Sequence, residues 1–169
     1  SLRAIKENTF SNHDHSILCL EASSCIGGIW QPSNKNGGTW DGMKTNLSRE
    51  KCAFKGLTHE QVFKTTSFAS DFPTSFEMYD YFKAFAEKYD LMKHILLERR
   101  VTRISRDQKY RYKISVVSNK EATENTTNEE PRPQIYFCNC LVIAIGVFNT
   151  PTMYPEMIQK CETANIKIA

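Results

Sequence analysis

The residues best placed to do chemistry stand near the start of the chain. Ile17-Leu18-Cys19-Leu20 closes on Glu21, and Ile26-Gly27-Gly28-Ile29-Trp30 follows at once. A short apolar run ended by a carboxylate is how the second strand of a dinucleotide-binding βαβ unit ends; there the carboxylate accepts hydrogen bonds from a ribose diol. Paired glycines let the backbone turn tightly and pass close to a ligand, which makes Gly28 a candidate for cofactor contact. An apolar strand closed by Glu is also an ordinary structural feature, and on these residues alone both readings stand.

A glycine-rich phosphate loop is expected roughly 20 residues before such a carboxylate. Counting back from Glu21 runs off the N-terminus. Ser1-Leu2-Arg3-Ala4-Ile5-Lys6-Glu7 reads as helix interior, built of good helix formers with no cap signal ahead of it. The chain is therefore expected to be a fragment without its first strand and phosphate loop; a mature chain that begins with a helix is the alternative.

Composition narrows the class. With 169 residues, 40% of them hydrophobic, the chain can build one core and part of a second. A net charge of +3 is too small and too mixed for a nucleic-acid partner. No apolar run approaches the roughly 20 residues of a membrane span. The six cysteines sit in apolar or strand-like contexts without a second metal-spaced pair, which predicts reduced thiols in a reducing compartment and no metal.

The elements that must position the candidate residues follow from periodicity. Residues 16–21 read as a strand. Residues 23–38 form a long loop rich in Gly, Ser and Asn, of the kind that carries sites, and residues 51–73 read as irregular. Thr74-Ser75-Phe76-Glu77 has the form of a capping box, opening a helix over about residues 75–89. Its stripe of Tyr79, Phe82, Phe85, Ala86 and Tyr89 predicts a core face. Alternation then replaces the helical period. Residues 95–104, 110–117 and 134–139 read as strands, separated in part by a polar loop at 120–133. Residues 140–146 are a continuous apolar run ending in Gly, the pattern of a strand buried on both faces of a parallel sheet.

No paired carboxylates, Ser/His/Asp set or metal-spaced cluster stands out. The four histidines read as surface residues. An enzyme without its own acid, base and nucleophile borrows reactivity from a cofactor.

Four segments read together carry a resemblance. Glu21 through Ile26-Gly27-Gly28-Ile29-Trp30, then Trp40-Asp41-Gly42-Met43-Lys44-Thr45-Asn46-Leu47-Ser48-Arg49-Glu50, then Asp71-Phe72-Pro73 with the helix after it, and finally Leu141-Val142-Ile143-Ala144-Ile145-Gly146 resemble, in order, segments of the flavin-containing monooxygenases (dimethylaniline monooxygenase-like). Ile145 stands where that family usually has Thr. The resemblance runs to about Pro155. The family's second glycine-rich loop and its fingerprint are not present, and the 55–66 region looks longer than usual.

The resemblance implies an α/β fold: an incomplete Rossmann-like FAD-binding domain over residues 1–155, with a small antiparallel sheet inserted, and the start of a connection to an NADPH domain over 156–169. Glu21 would hold the adenosine ribose of FAD, Ile29 and Trp30 would lie along the flavin, and Thr45, Asn46 and Leu47 would sit between flavin and NADPH. Val101 would offer backbone groups to adenine, and Ala144 and Gly146 would approach the diphosphate. It further implies a flavin-dependent monooxygenase using FAD, NADPH and O2. One oxygen atom would pass from a C4a-hydroperoxyflavin to a nucleophilic N or S of a small molecule, with Asn46 as the catalytic residue. Related Baeyer–Villiger or N-hydroxylating enzymes are the nearer alternative and a non-catalytic nucleotide-binding fragment the more distant one. The expected location is cytoplasmic, with association with the endoplasmic reticulum and the oligomeric state left open. Without a phosphate loop the chain alone is expected to hold FAD poorly.

Overall fold

The structure, a computed structural model, describes residues 2–3, 16–31, 39–40, 42–119, 132–146 and 154–164. The helix expected over residues 1–7 therefore lies outside the described residues except at Leu2 and Arg3, which are helical. Most of the polar loop at 120–133 also lies outside them.

Cys19–Leu20 forms β1, shorter than the run read from sequence. It pairs in parallel with β2, Ile95–Leu96, in the register Cys19 to Ile95 and Leu20 to Leu96. A parallel pair needs a crossover of a dozen or more residues. Here the crossover contains α1 (Arg49–Cys52), α2 (His59–Phe63) and α3 (Ser75–Lys88). The end of α1 and all of α2 fall in the stretch read as irregular.

The start of α3 follows its capping box. The Thr74 hydroxyl accepts from the Glu77 amide at 3.3 Å, and the Glu77 carboxylate accepts from the Thr74 amide at 2.7 Å. Thr58 and Gln61 build a second capping box at α2. The buried stripe of α3 is Met78, Tyr81, Phe85 and Ala86, one residue out of phase with the expected one at its N-terminal half. Tyr79 and Phe82 are only half-buried. Tyr81 is completely buried, packing with Leu57, Phe85, Ala86 and Leu91. Its ring lies 4.4 Å from that of His59, nearly parallel to it. His59 is 1% exposed, which corrects its reading as a surface residue; the apolar and aromatic surroundings take in its ring.

The run at 95–104 proves to be two strands. Glu98 adopts a left-handed backbone, φ 57°, between β2 and β3 (Arg99–Arg106). The chain thereby leaves the parallel pair and enters an antiparallel sheet of order β3, β4 (Tyr112–Ser118) and β5 (Gln134–Cys138). Asp107 closes the first hairpin, its Oδ1 accepting from the Lys109 and Tyr110 amides at 2.9 and 2.7 Å. Ile114 and Val116 are buried on one face, as their alternation predicts. The register slips between Val101 and Arg103, a bulge that leaves Val101 opposite Val116. A last helix, α4, spans Pro155–Thr163.

The buried parallel strand expected at 140–146 is not found. Residues 140–146 join no ladder among the described residues, and Ile145 is 88% exposed. A doubly buried strand needs ladder partners on its edges and layers over both faces. The described residues supply neither to this segment, and apolar side chains alone do not make a strand. None of the six cysteines forms a disulfide.

Candidate functional site

Glu21 follows directly on β1, at its C-terminal end. Its amide donates to the Leu96 carbonyl at 3.0 Å and its carbonyl accepts from the Arg99 amide at 2.8 Å. The backbone is thus tied to both β2 and β3. The side chain is oriented as well, since Oε1 accepts from the Ser23 amide at 2.8 Å. Ser23 in turn accepts from the Glu98 amide at 2.9 Å, and the Asn119 side chain donates to the Ala22 carbonyl. The segment after β1 is therefore clamped where the parallel pair meets the antiparallel sheet. Open α/β sheets bind ligands at the carboxyl ends of their strands, and Glu21 occupies that position.

The chain then reaches the glycine pair. Gly27 has φ 114°, and a Cβ there would lie 2.8 Å from Tyr79 Cδ2 on α3. The turn is thus pressed against the helix, which a side chain would prevent. Gly28, at φ 56°, opens a 3-10 turn through Ile29 and Trp30, and a Cβ on Gly28 would meet only open space. Ile29 is exposed, with its carbonyl accepting from the Thr39 hydroxyl at 2.6 Å, and Trp30 is half-buried.

The second candidate segment is seated on the N-terminus of α3. The Thr45 amide donates to the Pro73 carbonyl at 2.8 Å, and the Ser75 amide to the Met43 carbonyl at 3.0 Å. Thr45 is buried, and its hydroxyl donates to the Leu47 carbonyl at 2.7 Å, closing a tight loop around Asn46. Asn46 is exposed at the tip, and Leu47 is 53% exposed beside it. A buried Thr that spends its hydroxyl on its own loop, below an exposed amide, presents that amide outward.

α3 therefore supports two of the candidate segments, one through Tyr79 and one through its cap. Val101 is linked to Glu21 through β3, whose first residue donates to the Glu21 carbonyl. Ala144 and Gly146 are exposed and stand apart from these elements in sheet pairing among the described residues. Large exposed apolar side chains recur on the candidate segments, at Ile29, Trp40, Leu47 and Ile143; they are the residue types that lie against a ring system.

Three ionisable groups gather near the second segment: Arg49, Glu77 and His59. Arg49 is 4% exposed, and its guanidinium donates to the Glu77 carboxylate at 2.6 Å. Burial pushes the Glu77 carboxyl up. Hydrogen bonds from the Thr74 amide, the Arg49 guanidinium and the Thr74 hydroxyl outweigh this and hold it below the usual carboxylate range. His59 is held below its usual 6.5 by burial first and then by the Arg49 charge, against the opposing pull of Glu60 and Glu77. Neither of its ring nitrogens has a partner among the described residues.

Glu77 and His59 both make stability rise with pH, because the unfolded chain binds protons that the folded chain refuses. The His59 penalty is absent above the ordinary value of 6.5 and grows as pH falls below it. The Glu77 contribution is complete above the ordinary value of 4.5 and is lost as pH falls through the lower folded value. His59→Phe should keep the stack on Tyr81 while removing two unpaired nitrogens. It should stabilise the protein by about 1 kcal/mol at neutral pH. The plot of Tm against pH should flatten between the two ordinary values, with the acid loss from Glu77 retained. Parallel curves for the two proteins would exclude His59 as the source of that slope.

A carboxylate at the end of a parallel strand, a glycine turn against a crossover helix, and an outward-facing Thr-Asn loop are thus carried on one mixed α/β unit. The sequence model of the flavin-binding monooxygenase-like family matches residues 4–156, and the chain belongs to that family. Two solved structures share the fold. One is S-allyl-L-cysteine S-oxygenase from Allium sativum, at 18% identity and TM-score 0.67 over 90% of this chain and 35% of that one. The other is Tmm from Pelagibacter sp. strain HTCC7211, at 19% identity and TM-score 0.68 over 90% of this chain and 34% of that one. The chain thus spans about a third of the length of either structure. No curated protein matches it.

Proposed function

We propose that this chain is the FAD-binding portion of a Rossmann-like flavin monooxygenase that uses NADPH and O2 to oxygenate a nucleophilic N or S of a small molecule. The observation that carries the reading is the Glu21 carboxylate, held by the Ser23 amide at the carboxyl end of a parallel strand, in a chain of the flavin-binding monooxygenase-like family.

The residues present fit the cofactor. A fixed acceptor suits a ribose diol, and the open space over Gly28 admits a ligand close to the backbone. FAD, when bound and reduced by NADPH, supplies the oxygen-activating chemistry. The chain's own residues orient and enclose it. Glu21 accepts from the ribose hydroxyls, Gly28 lets the backbone approach, and Ile29 and Trp30 pack along the ring system and keep water away. Val101 contributes backbone groups toward the adenine, and Ala144 and Gly146 are small enough for the diphosphate to pass. Thr45 and Leu47 shape the loop between flavin and nicotinamide. Asn46 at its tip offers both a donor and an acceptor without supplying a proton.

The test uses the whole protein with isotope-labelled dioxygen and a thioether or tertiary amine. NADPH-dependent turnover should place one labelled oxygen atom in each product molecule. Product carrying oxygen from water would remove the monooxygenase reading. A ketone converted to a labelled ester would move it to the Baeyer–Villiger alternative.

A further inference from the structure

The Thr45–Leu47 loop hangs on backbone bonds at Pro73 and Ser75, and one side chain braces the residues on either side of them. We propose that Arg49 is the positioning residue for this loop, and with it for Asn46. The proposal rests on the reading of the loop as facing the cofactor.

Arg49 lies just after the loop, at the first turn of α1. Its amide donates to the Asp71 carbonyl at 2.8 Å, and its Nε donates to the Ser70 carbonyl at 3.0 Å. Its Nη2 reaches Glu77 Oε1 at 2.6 Å. The guanidinium carbon lies 3.8 Å from the centre of the Phe68 ring, which covers it. One planar fork thus joins the irregular stretch at Ser70, before α3, to the carboxylate that caps α3. The same carboxylate's other oxygen takes the Thr74 amide and hydroxyl at 2.7 and 2.9 Å. The backbone between Pro73 and Ser75 is then what the loop binds, through Thr45 to Pro73 and Ser75 to Met43, with Lys44 bridged to Thr74. Arg49 therefore braces, from Ser70 and Asp71 on one side and Glu77 on the other, the short backbone on which the loop is hung. It is 4% exposed, and its guanidinium is engaged with Ser70, Glu77 and Phe68, so its role is carried through the loop.

Arg49→Met keeps an apolar stem over Phe68 and removes the fork. In the whole protein, hydrogen exchange at the Thr45 and Ser75 amides should quicken roughly ten- to hundredfold, while amides of β3 and β4 keep their protection. Arg49→Lys should recover part of the effect, because an ammonium can pair with Glu77 but cannot serve Ser70 in the same planar geometry. If Arg49→Met does not fold, Glu77→Gln carries the test, since its amide oxygen still accepts from Thr74 while the ion pair is gone. The same local quickening is expected there. Unchanged exchange at Thr45 and Ser75, or equal quickening throughout β3 and β4, would overturn the proposal. Coupling of NADPH oxidation to product is the second readout, and it should fall with Arg49→Met and return in part with Arg49→Lys. Quickened exchange with intact coupling would leave Arg49 as the holder of the loop and would count instead against Asn46 in oxygen transfer.

Discussion

Tyr81→Ala should abolish the packed helical layer at ordinary temperature. The Tyr81 side chain has no exposed surface. Its hydroxyl accepts from the Phe54 amide at 2.7 Å and donates to the Leu57 carbonyl at 2.8 Å, so one side chain satisfies two backbone groups of the segment between α1 and α2. Burial pushes the phenol up, which keeps the donated proton in place. The ring also meets His59 at 4.4 Å and Phe54 at 6.1 Å. Truncating a buried aromatic costs about 3–5 kcal/mol, and the two stranded backbone groups add to that. Domains of this size are stable by about 5–15 kcal/mol in total. Urea titration should show the midpoint collapsing toward zero denaturant. Tyr81→Phe, which keeps the ring, should lose about 1–3 kcal/mol. A loss below 1 kcal/mol for the alanine variant would mean that the layer is held elsewhere.

Asn46→Leu in the whole protein should leave FAD bound and turnover uncoupled. Thr45 and Leu47 close the loop through their own hydrogen bond, so the fold does not depend on the exposed amide between them. On the proposed placement of the loop, what is lost is a neutral donor and acceptor toward the reacting atoms. A buried partner left unpaired in the loaded site costs about 1–3 kcal/mol. That corresponds to roughly 5- to 150-fold in the partition between product and hydrogen peroxide. NADPH oxidation should continue while peroxide replaces oxygenated product. Both species measured in one assay decide the matter, and unchanged coupling would return Asn46 to the role of a turn residue.

What was legible in the sequence was local. Thr74 and Glu77 announce the start of α3 because a capping box is written in adjacent residues, and the alternation of Ile114 and Val116 announces β4 because its period is two. Glu21 at the end of β1 followed from a run of apolar residues closed by a charge. The failures are all cases in which a distant partner decided. On α3 two aromatic stripes overlap, and the His59 ring together with the Phe54 and Leu57 backbone selects Tyr81 over Tyr79 and Phe82 as the fully buried ring. His59 reads as a surface residue because it falls in a stretch with no legible period, away from the other histidines. The signal that could have placed it was the Thr58 to Gln61 capping box, which sets a short helix and turns the ring toward Tyr81. The break at Glu98 needs a left-handed backbone that Glu seldom adopts, and nothing in its neighbours announces it. Residues 140–146 have the composition of a buried strand, but burial is conferred by neighbours and not by composition.

The most direct measurement is the flavin content and affinity of the whole protein with and without Glu21→Ala. The wild-type protein should be isolated yellow, with FAD close to equimolar. Charge-assisted hydrogen bonds to the ribose are worth about 1.5–3 kcal/mol, so the variant should bind FAD roughly ten- to 150-fold more weakly. Its far-ultraviolet circular dichroism should be unchanged, because the backbone bonds of Glu21 to Leu96 and Arg99 remain. A variant that holds FAD as tightly as the wild type would contradict the placement of the cofactor at the end of β1.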